Sequence, residues 1–172
     1  PKYALLYDAF GWPRPVYVHL PLLMGKNPDG TVSKLSKRHG AVSFQDLLRD
    51  GYLPEAIVNY IALLGWCPKK CETEVFTLED LRQLFTLDGV SKSPAVFDFD
   101  KLLWFNGEYI HKLSDGEFME RITPFRKAEI PANIRQDKMF SLVRTRISKL
   151  SEVDERIGFF LSLPDYDKEL FL

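Results

Sequence analysis

The chain has 172 residues, of which 45% are apolar, 27% charged and 13% Phe, Tyr or Trp. This is the mixture of one ordinary domain or two small ones, and it excludes a disordered tail, a collagen-like repeat and a disulfide scaffold. The net charge of −1 favours no class of partner, and no apolar run approaches the roughly 20 residues that cross a bilayer, so no membrane partner is expected.

The first residues, Pro1-Lys2-Tyr3-Ala4-Leu5, carry neither an initiator Met nor a secretory pattern, so the chain reads as an internal piece of a longer polypeptide. Lys2–Phe10 predicts the end of a helix, stopped by Gly11-Trp12-Pro13. Val16–Leu20 is a β-branched and aromatic run that predicts a short strand. Residues 24–31, Met24-Gly25-Lys26-Asn27-Pro28-Asp29-Gly30-Thr31, are dense in turn formers and predict a loop.

Beyond residue 40 the pattern becomes helical. Ser43 with Asp46 resembles a capping box before Phe44, Leu47 and Leu48, and Gly51 ends that helix. Pro54 suits a first helical position, and Ile57, Val58, Ile61 and Leu64 follow at helical spacing up to Gly65. Thr77-Leu78-Glu79-Asp80 opens a helix through Phe85. Asp98 to about Tyr109 gives another, with Phe99, Leu102, Leu103 and Phe105 inward. Ser114-Asp115-Gly116-Glu117 and Ser151-Glu152-Val153-Asp154 repeat the start signal. Between them Gln136–Leu150 places Met139, Leu142, Val143, Ile147 and Leu150 on one face.

Cys67 and Cys71 lack a second pair of Cys or His ligands, and His19, His39 and His111 are scattered. Free thiols in a reducing compartment, hence the cytoplasm, are expected, with no metal site. Charge is uneven along the chain. Arg121, Arg126, Lys127, Arg135, Lys138, Arg144, Arg146 and Lys149 face only Glu129 and Asp137, a local net of +6, whereas residues 150–172 carry −4. A basic stretch of this kind suits either a phosphate backbone or a solvated helix face. Trp12, Trp66 and Trp104 read as packing residues, each beside large apolar neighbours or a glycine.

The most informative segment is Lys34-Leu35-Ser36-Lys37-Arg38. Three cations and a hydroxyl on a loop suit polyphosphate, whose charge shifts as a nucleoside triphosphate is attacked. The pentapeptide alone is also what a solvated basic turn looks like. Its context narrows the choice: His19-Leu20-Pro21-Leu22-Leu23 before it and His39-Gly40 and Gly51-Tyr52-Leu53-Pro54-Glu55-Ala56 after it. Asn59-Tyr60, Leu64-Gly65-Trp66, Phe76-Thr77-Leu78-Glu79, the run from Phe97 to Asn106, and Tyr109-Ile110 follow in order. Together these resemble class I aminoacyl-tRNA synthetases, and within them the bacterial-type glutamyl-tRNA synthetases, over nearly the whole chain.

That resemblance implies a mostly α fold with a small β component. Residues 1–40 would end a Rossmann-type catalytic domain, 41–105 would form a stem-contact fold, and 106–172 would begin an all-helical anticodon-binding bundle. The pentapeptide would be this chain's form of the KMSKS signature, with Leu35 for Met and Arg38 for the last Ser. Lys37 would be catalytic and contact the ATP phosphates. Lys34, Leu35, Ser36 and Arg38 would shape the loop, and the main chain at Leu22 and Leu23 would lie along the adenine. Lys101, Asn106 and the eight basic residues from Arg121 to Lys149 become candidate tRNA contacts.

ATP with Mg²⁺, held largely by ATP and by residues outside this chain, glutamate and tRNA(Glu) would be the parent's cofactors and substrates, and the parent a monomer. The His-x-Gly-His motif and the glutamate pocket would lie before Pro1, so this chain alone would be inactive. The rival readings are a non-catalytic tRNA-binding module, a glutamyl-queuosine-type paralogue and a glutaminyl-tRNA synthetase. The helical pattern after Asn106 disfavours the last two.

Overall fold

A computed structural model of the chain describes all residues except 1, 28, 37–42, 69–72 and 163–172. The architecture is mostly helical with one small sheet. Helix α1 (Lys2–Ala9) is followed by strands β1 (Leu23–Lys26) and β2 (Val32–Lys34). Helices α2 (Phe44–Arg49), α3 (Pro54–Gly65) and α4 (Leu78–Leu84) come next. Strand β3 (Ala95–Phe97) then leads into α5 (Phe99–Lys112), α6 (Asp115–Ile122), α7 (Gln136–Arg144) and α8 (Val153–Leu161).

The sheet runs β2-β1-β3. Strands β1 and β2 form an antiparallel hairpin with Met24 opposite Lys34, and β3 joins β1 in parallel, Met24 opposite Val96. The expected loop at 24–31 is therefore a hairpin. Its turn is built from the residues that suggested a loop. Asn27 N–H bonds the Thr31 carbonyl and Asn27 Nδ2 its hydroxyl, Asp29 accepts from Thr31 N–H, and Gly30 takes φ +82°. The expected strand Val16–Leu20 does not form. Val16 is 87% exposed, and no strand lies beside this run among the described residues, so its backbone has no ladder to join.

Helix starts follow local chemistry closely. Ser43–Asp46, Thr77–Asp80 and Ser114–Glu117 all form reciprocal capping boxes, each worth about 1 kcal/mol. The fourth expected box, Ser151–Asp154, does not form. Ser151 Oγ instead donates to the Asp50 carbonyl at 2.7 Å, while the Asp154 carboxylate accepts from the amides of Lys127 and Ala128 at 2.8 and 3.3 Å. A 3₁₀ turn over Leu150–Glu152 precedes α8 in its place. Helix α7 also stops early, at Arg144, and Leu142 points outward at 52% exposure. Ile147 and Leu150 still reach the core from irregular backbone.

Two helical groups share α3 and α5. Leu47, Tyr52, Ile57, Tyr60, Leu102 and Phe105 fill the space between α2, α3 and α5, with Trp66, Phe76 and Leu81 packed beside α4. Ile110, Phe118, Ile122, Phe140, Val143, Val153 and Ile157 form the second core, which Leu53 enters from the turn before α3 and Ala56 from its first turn. The division expected between residues 105 and 106 falls inside the continuous helix α5.

Gly51 lies where the two groups meet, at φ +92°, and a Cβ there would sit 2.5 Å from the Ser151 backbone nitrogen. Neither the left-handed backbone nor the contact leaves room for a side chain. Gly51→Ala is therefore expected to destabilise the fold by about 2–4 kcal/mol, read as a fall in the thermal unfolding midpoint. An unchanged midpoint would show that this junction yields at no cost.

Candidate nucleotide and nucleic-acid site

The hairpin sets the position of the basic pentapeptide. Lys34 closes β2 opposite Met24 and is exposed. Leu35 N–H donates to the Leu23 carbonyl at 2.9 Å, extending the pairing by one residue and committing that carbonyl to the hairpin. Leu35 is half-buried and lines a cleft of about 220 Å³ with Gly25, Phe97, Asp98 and Phe99, so the root of the loop and the start of α5 face the same cleft. Leu22 is exposed beside the first strand residue, and Ser36 is exposed beyond Leu35. Lys37 and Arg38, the principal expected phosphate contacts, lie outside the described residues, as does Cys71.

The start of α5 is held firmly. Asp98 caps the helix by accepting from Asp100 and Lys101 N–H, and its own N–H donates to the Tyr60 hydroxyl at 2.7 Å. Lower down, the Tyr109 hydroxyl donates to the Phe76 carbonyl and lies 2.6 Å from Asn59 Oδ1. Asn59 in turn accepts from Phe76 N–H and donates to the Glu74 carbonyl.

Burial, reinforced by the Glu55 charge, pushes the Tyr109 hydroxyl up to about 12, and burial pushes Tyr52 and Tyr60 in the same direction. Between pH 10 and 12 the folded chain thus keeps a proton that the unfolded chain has lost. The contribution is full below pH 10 and declines as pH rises through about 12. Stability is expected to fall across that window, and Tyr109→Phe to make the alkaline limb shallower in urea titrations at stepped pH. Parallel limbs in the two proteins would overturn this.

The basic stretch divides in two. Arg121 pairs with Glu55 at 2.8 Å, Arg135 with Asp137 at 2.6 Å, Arg144 with Asp115 at 2.7 Å and Lys149 with Asp50 at 3.1 Å. Arg144 also donates to the Leu113 carbonyl. Lys127, Lys138 and Arg146 are exposed and make no ion pair among the described residues. Arg126 lies over the Phe140 ring, and with Lys127, Ile130 and Gln136 it lines a groove of about 500 Å³. Arg144 and Lys149 are thus largely enclosed in the fold, whereas Arg121–Glu55 and Arg135–Asp137 are more exposed pairs that solvent screens.

On α5, Lys101 is exposed and reaches Glu74 at 2.7 Å, a pair that solvent screens. Asn106, expected at the surface, is fully buried and bonded to the chain's own backbone on both ends of its amide, so it has no face to offer a nucleic acid. Trp104, expected in the core, is instead 47% exposed, one turn from Lys101. The helical spacing held the signal: Leu102 and Phe105 face inward, which turns position 104 outward. Trp66 is buried as expected, whereas Trp12 stacks on Phe10 and remains exposed.

The hairpin that leads into the pentapeptide, the capped helix α5 and the helices after it occur in a chain whose family comparison with known proteins identifies. Residues 1–104 match the model described as the catalytic domain of class I tRNA synthetases (E and Q), and the chain belongs to that family. The glutamate–tRNA ligase of Clostridium kluyveri is 46% identical over 172 residues, and that of Clostridium acetobutylicum is 48% identical. The alignments cover 100% and 99% of this chain, which spans about a third of the length of these curated relatives, 34% in each case. Among solved structures, a glutamate-tRNA synthetase from Elizabethkingia anophelis superposes with a TM-score of 0.81 at 26% identity. That match covers 98% of this chain and 37% of the other. A glutamate tRNA ligase from Elizabethkingia meningosepticum, solved in complex with its amino acid, gives 0.80 at the same identity and coverage. No described helix is long and apolar enough to cross a membrane.

Proposed function

We propose that the polypeptide containing this chain is a cytoplasmic, monomeric glutamate–tRNA ligase, and that the chain supplies its ATP loop and part of its tRNA surface. The observation that carries this reading is the Lys34–Arg38 sequence, entered from a hairpin through Lys34 and Leu35, in a chain similar along its whole length to proteins of that name. Residues 1–40 are assigned to the end of the catalytic domain, 41–105 to the stem-contact fold and 106–172 to the start of the anticodon-binding bundle.

In the reaction, the glutamate carboxylate attacks the α-phosphate of ATP. The bond to the β-phosphate bridging oxygen breaks and diphosphate leaves. The terminal ribose hydroxyl of tRNA then attacks the adenylate carbonyl, losing its proton as AMP departs. Lys37 is assigned to the migrating phosphate charge, while Lys34, Leu35, Ser36 and Arg38 hold the loop in place and the main chain at Leu22–Leu23 faces the adenine. The donor set fits polyphosphate: an exposed ammonium at Lys34 and, in the sequence, two further cations within four residues.

Magnesium would spread the triphosphate charge when bound. Its ligands are assigned largely to ATP and to residues outside this chain. For tRNA, Lys101 on α5 and Arg121, Arg126, Lys127, Arg135, Lys138 and Arg146 beyond it remain the candidate contacts, and the exposed Trp104 ring joins them. Helices α6, α7 and α8, among the described residues after 112, favour this reading over a queuosine-type paralogue or a glutaminyl enzyme with β-barrel anticodon domains. The test is glutamylation of tRNA by the full-length polypeptide with ATP. Charging with glutamine instead, or binding of tRNA without charging, would replace this reading by the glutaminyl enzyme or by a binding module.

A further inference from the structure

Asn106 holds a joint between two separate segments. Its Oδ1 accepts from Leu53 N–H at 2.7 Å, and its Nδ2 donates to the Ser148 carbonyl at 2.6 Å and the Gly51 carbonyl at 3.3 Å. Both amide hydrogens and the oxygen are thereby used inside a dry site. Gly51 and Leu53 belong to the α2–α3 turn, while Ser148 belongs to the stretch between α7 and α8. Those two segments are also joined directly. Leu150 N–H donates to the Gly51 carbonyl at 3.0 Å, Ser151 Oγ to the Asp50 carbonyl at 2.7 Å and Lys149 Nζ to the Asp50 carboxylate at 3.1 Å.

The helix carrying Asn106 is tied at its other end to the hairpin. Helix α5 begins immediately after β3, which pairs with β1, and Asp98 is pinned by Tyr60. Apolar packing alone is non-directional and tolerates sliding, whereas a saturated buried amide has one satisfied geometry. Resting on the functional reading above, we infer that Asn106 is a positioning residue. It locks the helices after residue 112 onto the hairpin-bearing part as a rigid strut. RNA held on those helices then meets the Lys34–Arg38 loop in a fixed register.

The experiment uses the full-length polypeptide. Asn106→Ala is expected to lower kcat for glutamylation of tRNA about 10²-fold, the scale of a small misplacement, while KM for ATP and Kd for tRNA change less than about twofold. A Cβ built on Gly107 lies 3.8 Å from Ser148 Cβ, within the roughly 3.5–4.5 Å that a disulfide spans. Gly107→Cys with Ser148→Cys in the Asn106→Ala background is therefore expected to restore kcat when oxidised and to lose it again on reduction.

Hydrogen exchange at the Leu53 and Leu150 amides separates positioning from mere folding. If the oxidised cross-link restores their protection but not kcat, the positioning role is overturned. It is overturned equally if the cross-link with Asn106 intact inhibits reversibly, because the joint must then open in the cycle. A wild-type polypeptide that does not charge tRNA with glutamate sinks the functional reading alone. The joint is then judged on exchange: it stands if Asn106→Ala raises exchange at both amides and the cross-link reverses this, and falls otherwise.

Discussion

Lys37→Ala in the full-length polypeptide is expected to slow glutamate-dependent ATP–pyrophosphate exchange, measured with saturating tRNA, by about 10²–10³-fold, the usual cost of deleting one preorganised charge-stabilising donor. The expectation rests on where the loop is rooted. Leu35 is bonded to Leu23 and lines the cleft beside Phe97–Phe99, so the chain enters the loop from a fixed base. A cation held in place before the reaction stabilises transition-state charge at little cost in ordering entropy. Affinity for tRNA should change less than about twofold, because a single lysine is a small part of a phosphate-contact surface. Lys37→Arg should recover part of the rate, since charge is kept and reach is altered. Equal exchange rates in Lys37→Ala and wild type would remove Lys37 from the chemistry, and a large loss of tRNA affinity would move it to the RNA surface.

Adjacent residues on α5 should behave in opposite ways. Phe105 is fully buried between α2, α3 and α5, against Tyr60 and Leu102. Phe105→Ala removes a ring from a site that cannot collapse around both tyrosine and leucine, so a loss of about 3–5 kcal/mol is expected, seen as a lower denaturation midpoint. Trp104, one residue earlier, is half exposed with its edge against Phe105. Trp104→Ala should cost less than about 1.5 kcal/mol in stability and weaken tRNA binding by about 1–3 kcal/mol, the range of a base-stacking platform. Unfolding of both variants and tRNA titration at two salt concentrations separate the two roles. If Trp104→Ala leaves tRNA affinity unchanged, the exposed ring has no part in the RNA surface.

Signals local in sequence are legible because local atoms decide them. Ser43–Asp46, Thr77–Asp80 and Ser114–Glu117 cap their helices because the hydroxyl and carboxylate satisfy amides three residues away wherever the helix lies. Ser151–Asp154 has the same pattern and fails, since Asp50 and the Lys127–Ala128 amides offer those side chains partners from distant segments. The hairpin at 23–34 is hidden for a related reason. Asn-Pro-Asp-Gly reads equally as a loop or a turn until β3, some sixty residues later, supplies the strand that β1 pairs with.

The candidate site divides along the same line. The order of Lys34, Leu35, Ser36, Lys37 and Arg38, and the motifs that follow them, carry the resemblance to the family, because residue order is a property of the chain itself. Which cations remain available does not follow from the chain. Arg121, Arg135, Arg144 and Lys149 look no different in sequence from Lys127, Lys138 and Arg146, yet the first four meet carboxylates in the fold. The sequence by itself determined three of the helix starts, the cationic character of the loop and the basic character of residues 121–149. Only the tertiary structure decided that Asn106 faces a dry joint, that Trp104 faces water and which cations meet carboxylates of distant segments. The partners that saturate Asn106 and pair Arg121 and Lys149 lie some forty to a hundred residues away, and no local pattern encodes that distance.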